Sequence, residues 1–254
     1  MAGQVVVSEW WGGAVVPAVQ IVLAGLAVVE DSIVEVGVIS EDGAIFSTVV
    51  RPPFTHDEAA CGSCVHGIQA GELLAGPDFS NVYARMTYFI EHLQVSTVEP
   101  DGSDSDADEP RVVRSYSDPP RIVLVAHNGF KFDFAILASE VLRAGADWLP
   151  LQRWCYLDTL DVFKAIGSTG CVKLQCLRRE VGVGNEPLRA HRALDDAIAL
   201  RSLVISQAER LGLTIGVLLA PFVVGCDADA TLAQERCLRM SRRLPKAANA
   251  DLHS

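Results

Sequence analysis

The sequence is poor in positive charge. Its 254 residues include 21 Lys and Arg against 32 Asp and Glu, which gives a formal net charge of −11. Proteins that hold phosphate backbones nonspecifically carry a basic face or stripe, so this deficit excludes broad adhesion to nucleic acid and leaves only local contacts. The sequence also lacks a glycine-rich phosphate loop, a nucleophilic serine elbow and internal repeats, so none of these signatures indicates a function.

Cysteines do not form a framework either. The seven cysteines, an odd number, are spread without the regular spacing of a disulfide-framed secreted domain. This pattern favours an intracellular compartment, cytoplasmic or nuclear, and predicts free thiols. Cys61 and Cys64 with His66 resemble half of a zinc site, but Cys171 and Cys176 have the wrong spacing to complete it.

The N-terminal segment lacks charge, and it has two interpretations. Trp10 to Val29 contains 20 consecutive residues without an acid or a base, which is long enough for a membrane helix. Pro17, three glycines and the absence of Lys or Arg before the run argue against a membrane or signal segment. We favour a buried strand from Val15 to Leu23, a turn at Gly25 and a second strand from Ile33 to Ser40.

Further segments have clear periodicity or apolar content. Apolar residues from Ser80 to Leu93 recur at the spacing of one helical face, and Arg121 to Ala126 is a β-branched run typical of a buried strand. Helices are also predicted over residues 134–144, 158–166, 173–181 and 191–212. Strands first and helices interleaved afterwards indicate an α/β sandwich around a mixed sheet.

An internal segment and the C-terminal end differ in composition from the rest. Residues 98–119 carry seven acids against two arginines and have almost nothing to bury, which predicts a disordered acidic insertion. Leu213 to Val224 is apolar but short and is broken by Pro221, which favours a packed segment over a membrane span. Five basic residues from Arg236 to Lys246 form a tail that either contacts phosphate or is a solvated helix face.

Two patches combine His, Asn and Asp at fixed spacing. In LVAHNGFKFDFAIL a buried strand ends at His127-Asn128 and a helix begins near Asp133. In LRAHRALDDAIAL, His191 precedes Asp196 by five residues and an alanine follows. Both patches resemble motifs of the DEDDh family of metal-dependent 3′→5′ exonucleases, which contains the proofreading subunit of bacterial replicases, RNase T and the three-prime repair exonucleases. The resemblance covers about residues 33–211 and includes Ile33 to Gly37, which is similar to the IIEIG of the family's second strand.

The resemblance implies an RNase H-like α/β fold, with a mixed five-stranded sheet flanked by helices. An exonuclease-like domain would span residues 1–211, with the acidic insertion inside it, and a C-terminal extension would span residues 212–254. The implied cofactors are two Mg²⁺ or Mn²⁺ ions, which activate water and shield the scissile phosphate. The implied partners are 3′ ends of single-stranded DNA or RNA.

The resemblance also implies roles for individual residues. Asp133 and Asp196 would bind metal, since the spacing selects Asp196 over its neighbour Asp195. His191 would be the general base that accepts a proton from metal-bound water. The implied substrate-binding residues are His127 and Asn128.

The family's first motif, D-x-E-T-T-G-L, is absent. Counting back without gaps from Gly37 places Gly25 under the motif's glycine, so its Asp and Glu fall on Gln20 and Val22. Valine cannot bind a cation and glutamine offers only a neutral oxygen, so we expect a severe loss of metal affinity and turnover. The nearby acids are not favoured as replacements: Glu30, Asp31 and Glu35.

Three explanations remain open. The chain is an active or formerly active 3′→5′ exonuclease, or it is a catalytically inactive pseudo-exonuclease that serves as a nucleic-acid-binding or scaffold module. Alternatively, residues 1–30 come from a mistaken start or splice choice. No motif encodes contacts to a 2′-OH, so DNA and RNA both stay open as substrates.

Overall fold

The computed structural model of the chain describes residues 19–29, 32–53, 67–93, 121–167, 170–181 and 192–224. Some predictions fall on other residues and so lie outside the described part. These are the acidic insertion, the basic tail, the Cys61–Cys64 pair with His66, and His191.

A mixed sheet forms the centre of the fold. Its strand order is β3-β2-β1-β4-β5, in which β1, β2 and β3 pair antiparallel while β4 and β5 continue parallel to β1. The predicted mixed sheet of five strands is therefore present within the described residues. The strands are β1 (Val19–Val29), β2 (Ser32–Ser40), β3 (Ile45–Val49), β4 (Arg121–Ala126) and β5 (Cys155–Asp158).

The first hairpin differs from its prediction. The predicted turn at Gly25 is wrong, because β1 passes through Gly25 and pairs it with Gly37 on β2. The apolar run continues beyond Gly25 without a polar residue until Val29, so the chain has no local reason to leave the strand there. The strand therefore ends only before the acidic pair Glu30-Asp31.

Helices lie where the sequence places them, within two residues at each predicted end. Asp78 caps α2 by accepting a hydrogen bond from the N–H of Asn81 (2.9 Å), and Gly212 ends α7 with a left-handed φ of +66°. The helices are α1 (Ala70–Ala75), α2 (Phe79–Glu91), α3 (Asp133–Arg143), α4 (Leu149–Arg153), α5 (Thr159–Ala165), α6 (Leu174–Val181), α7 (Ala193–Leu211) and α8 (Ile215–Leu219).

The helices cover both faces of the sheet. On one face, Leu124 of β4 packs with α2 and α3, and on the other Val123 packs with α7. Because successive strand residues point to opposite faces, a strand buried on both sides is apolar on both, as β4 is from Ile122 to Ala126. The sheet is therefore the middle layer of a sandwich, and this arrangement brings α3 and α7 to the same end of β1.

The segment after α7 packs on this domain. Leu218 and Leu219 of α8 are buried, and Val224 forms a β-bridge with Tyr156 of β5. Among the described residues no single helix is both long and apolar enough to span a membrane. The prediction of a packed segment over Leu213 to Val224 is therefore confirmed.

A disulfide corrects the expectation of free thiols. Cys171 and Cys176 are bonded, with their Cα atoms 5.7 Å apart. Cys176 lies in the first turn of α6, so the short loop before the helix brings the two side chains within bonding range.

Candidate functional site

The candidate site lies where β4 ends. The pairing of β1 with β4 stops at Leu23 opposite Val125, whereas β1 continues to Val29. Residues 24–29 therefore pair with β2 on one side, while no described strand pairs with them on the other, and we call this side the free edge of β1. The loop after β4 turns at His127 and leads into α3, so the side chains at the start of α3 approach this edge.

Asp133, at the start of α3, contacts the free edge. Its carboxylate accepts hydrogen bonds from the backbone N–H of Leu26 and from its own N–H. The pKa of Asp133 is raised to about 7, mainly because the carboxyl group is buried. The negative charges of Asp158 and Asp196 also raise this pKa, whereas the two hydrogen bonds lower it. The acids of α3, β5 and α7 thus lie within electrostatic reach of one another.

Asp195 and Asp196 are separated by the fold as the sequence spacing proposed. The charge of Asp196 acts on Asp133, while the charge of Asp195 acts on Arg192 at the start of α7. Successive helix residues point about 100° apart, which explains why two adjacent acids have different neighbours. Of the two, Asp196 is the one whose charge raises the pKa of Asp133.

Asp158, at the end of β5, organises the loop that leads to Asp133. It is buried, and its carboxylate accepts hydrogen bonds from the N–H groups of Asn128 (2.7 Å), Phe130 (3.3 Å) and Leu160 (2.9 Å). Asn128 has a left-handed φ of 60°, which asparagine tolerates better than most residues. Asp158 therefore holds the loop in shape and caps α5, and its oxygens are already engaged.

Asp158→Ala is expected to destabilise the fold by about 2–4 kcal/mol, since it leaves the partly buried N–H groups of Asn128, Phe130 and Leu160 without their acceptor. Urea unfolding of purified protein measures the loss. Asp161→Ala on the same helix is the matched control, because the exposed pair of Asp161 with Lys164 (3.8 Å) should contribute less than about 1 kcal/mol. Equal midpoints for the two variants would contradict the role given to Asp158.

His127 is held by the protein through both ring nitrogens. Nε2 lies 2.8 Å from the carbonyl oxygen of Val172, and Nδ1 lies 3.0 Å from the hydroxyl of Thr159. Burial lowers the pKa of His127, so the ring is neutral at pH 7. A carbonyl only accepts, so Nε2 carries the hydrogen, while Nδ1 faces a Thr159 hydroxyl that also lies 3.3 Å from the carbonyl oxygen of Ala126. Substrate binding by His127 stays a prediction, and it would have to use the carbon edge of the ring.

Glu35 on β2 fixes the start of α7. Its carboxylate is buried, binds the Arg192 guanidinium through both oxygens (2.6–3.0 Å) and accepts a hydrogen bond from the N–H of Ala193 (2.8 Å). At Gly37, two residues along β2, an added Cβ would lie 2.3 Å from the backbone nitrogen of Leu194. The α7 backbone therefore rests directly on β2, and this contact positions Asp196. Glu35 is engaged and does not replace a lost ligand.

Two residues of the site were missed by the sequence analysis. Phe132, directly before Asp133, is 49% exposed, and the Lys131 ammonium lies 5.4 Å from the centre of its ring. Large aromatic side chains are usually buried, so an exposed one beside a cluster of acids indicates a contact surface. The only signal in the sequence was the adjacency of Phe132 to the motif's aspartate.

The described residues do not fit a two-cation centre. No group of three or more His, Cys, Asp or Glu side chains in the described part of the chain could hold a metal ion. Asp158 and Glu35 are engaged with backbone N–H groups, and the Asp133 carboxylate also accepts two such hydrogen bonds. Gln20 and Val22 lie within the paired part of β1, opposite Ile122 and Leu124 of β4.

Comparisons with known proteins identify the fold. No family model and no curated protein matches the sequence. Among solved structures, a 3′-exonuclease in 3′-end specific recognition of a histone mRNA stem-loop is 12% identical, with a TM-score of 0.57 over 78% of this chain and 84% of that one. The nuclease domain of 3′hExo, a DEDDh family member bound to rAMP, is 13% identical (TM-score 0.56, 76% and 92%). Cell-death related nuclease 4 is 12% identical (TM-score 0.53, 77% and 65%).

Proposed function

Because the chain has the fold of the DEDDh exonucleases, we propose that it binds 3′ ends of nucleic acid at the end of β4. We further propose that the polypeptide as given hydrolyses phosphodiesters far more slowly than a member of that group with all four carboxylates. The observation that carries the proposal is the combination of an ordered binding loop, with Phe132 and Lys131 exposed, and an acid cluster reduced to Asp133 and Asp196.

Local contacts support binding in spite of the negative net charge. An exposed aromatic ring is a platform on which a base of any identity can stack, and a neighbouring lysine can pair with a phosphate. Phe132 and Lys131 supply this pair at the mouth of the site. The similar structures support the same choice of ligand, since one recognises the 3′ end of an RNA stem-loop and another holds rAMP.

The acid cluster supports the loss of hydrolysis. Two divalent ions about 3.5–4 Å apart repel each other and need several carboxylates to hold them. Mg²⁺ or Mn²⁺ remains the proposed cofactor class for the group, but Asp133 and Asp196 alone do not offer such a centre. The role of His191 as general base stays a prediction on a residue outside the described part.

A second candidate is a slow but genuine 3′→5′ exonuclease. The electrostatic contact between Asp133 and Asp196 favours it, because this contact preserves the relation between the second and third motifs. A Mn²⁺-dependent product that Asp196→Ala abolishes would support this candidate over the first.

Phe132→Ala is expected to weaken binding of a labelled single strand by about 5- to 150-fold, because stacking contributes about 1–3 kcal/mol per base. Fluorescence anisotropy at low salt, with chelator present, measures affinity without cleavage. A strand blocked by a 3′-phosphate should bind more weakly than one with a free 3′-OH if the end is recognised.

Tyr88→Ala is the matched control for this prediction. Tyr88 is an aromatic residue on α2, 64% exposed and stacked on His92, away from the loop. Its removal should leave the affinity unchanged. The proposal fails if wild-type protein does not bind the strand at low salt, or if the two variants lose affinity equally.

A further inference from the structure

Leu26 packs against the core cluster that contains Phe134, the residue after Asp133, so this part of β1 borders the start of α3. β4 ends at Ala126, so its pairing with β1 cannot extend along the free edge. Among the described strands none pairs with Leu26 on that side, and the Asp133 carboxylate accepts the hydrogen bond of its N–H. The acids meet β1 at about position 26.

Positions 20 and 22 are too far away to complete this cluster. A strand rises about 3.2–3.4 Å per residue, so Gln20 lies about 20 Å and Val22 about 13 Å before Leu26 along β1. Carboxylate oxygens must lie about 2–2.6 Å from a divalent ion, and paired ions are about 3.5–4 Å apart. Acids at positions 20 and 22 would therefore be separate from Asp133. The ungapped count from Gly37 overstates the length of the first hairpin.

The residues packed against β1 show which of its positions lie on the same face of the sheet as α3. Leu26 packs against the core cluster that contains Phe134 of α3, so even-numbered positions of this edge share a face with the helix of Asp133. Odd-numbered positions face α7: Ala27 is buried with Ala193, and Gly25 pairs with Gly37, against which the α7 backbone rests.

We propose that Ala24 and Leu26 occupy the two positions where carboxylates would complete the Asp133–Asp196 cluster, and that the Leu26 N–H takes the place of a cation on Asp133. The two positions are two residues apart, as in a D-x-E motif, and lie where β1 passes the end of β4. This inference rests on the proposed function only for the choice of a nucleic-acid strand as substrate. The Mn²⁺ binding that it predicts is measured without a strand.

The test compares two double variants that each add two carboxylates to β1. Ala24→Asp/Leu26→Glu is expected to bind Mn²⁺ at least about tenfold more tightly than wild-type protein in calorimetry, and to release more nucleotides from a labelled single strand. The matched control, Gln20→Asp/Val22→Glu, makes the same change in charge on the same strand and is expected to bind Mn²⁺ no more tightly than wild type.

A second measurement covers the case in which Leu26→Glu, at a partly buried position, prevents folding. Circular dichroism identifies that case, and the single variants Ala24→Asp and Gln20→Asp then replace the doubles. As a single substitution in the otherwise unchanged chain, Asp133→Ala should accelerate hydrogen exchange of the Leu26 amide, measured with a chelator present.

Tighter Mn²⁺ binding by the Gln20 and Val22 variant than by the Ala24 and Leu26 variant would overturn the inference. Unchanged exchange of the Leu26 amide in Asp133→Ala would also overturn it. If wild type fails to bind a strand while the Ala24 and Leu26 variant gains Mn²⁺ binding, the proposed function is wrong and this inference stands.

Discussion

Gly37→Ala is expected to destabilise the fold by about 3 kcal/mol or more, because the new methyl group has no space. It would lie 2.3 Å from the nitrogen and 2.5 Å from the Cα of Leu194. These are backbone atoms of α7, so no side-chain rotation relieves the overlap and the helix must move away from β2. Urea unfolding measures the loss of stability, and weaker strand binding would show that the site moves with the helix.

Gly71→Ala is the control for this substitution. Gly71 lies in α1, and an added Cβ there meets nothing within 4 Å. Alanine has a higher helix propensity than glycine, so this variant should be unchanged or up to about 1 kcal/mol more stable. If Gly37→Ala unfolds at the same urea concentration as wild type, the close packing of α7 on β2 is wrong.

Glu35→Ala should have an effect of similar size, about 3 kcal/mol, because it leaves a largely buried guanidinium without its partner. The Glu35 carboxylate is 3% exposed and the Arg192 side chain 20% exposed, so solvent compensates for little of the loss. Glu35→Gln should lose less, since its amide oxygen can still accept from the N–H of Ala193. Urea unfolding of both variants, with amide exchange at Ala193, measures the stability and the position of α7.

Arg51→Ala provides the comparison with an ordinary surface pair. Arg51 and Asp78 are 3.9 Å apart and about half exposed, so the loss should be below about 1 kcal/mol. Equal losses for Arg51→Ala and Glu35→Ala would mean that the Glu35 contact is no more than a surface ion pair.

Local patterns in the sequence were sufficient to predict most of the helices and strands. The β-branched run of β4 and the capping residues Asp78 and Gly212 each encode an element within a few neighbouring residues. The length of β1 was mispredicted because an uninterrupted apolar run contains no alternation, so only the pairing with β2 decides where the strand ends. Gly25 suggested a turn, but opposite Gly37 it is a strand residue.

For the candidate site, too, the sequence predicted what local spacing determines and missed what depends on distant segments. Spacing within a motif predicted Asp133 and Asp196, whose charges act on one another in the fold, and their role as metal ligands stays a prediction. It could not show that Asp158 and Glu35 are engaged by backbone N–H groups, since those partners come from distant segments. The ungapped count that selected Gln20 and Val22 assumed a constant hairpin length, which the sequence alone cannot test.

The Glu35 contact has a consequence for how the protein folds. Its partners Arg192 and Ala193 lie 157 and 158 residues further along the chain. Contacts between such distant segments form slowly, because the intervening chain must first lose much of its freedom. During synthesis, β2 therefore has to wait for most of the polypeptide before its acid gains a counterion, so the contact that positions α7 forms late in folding.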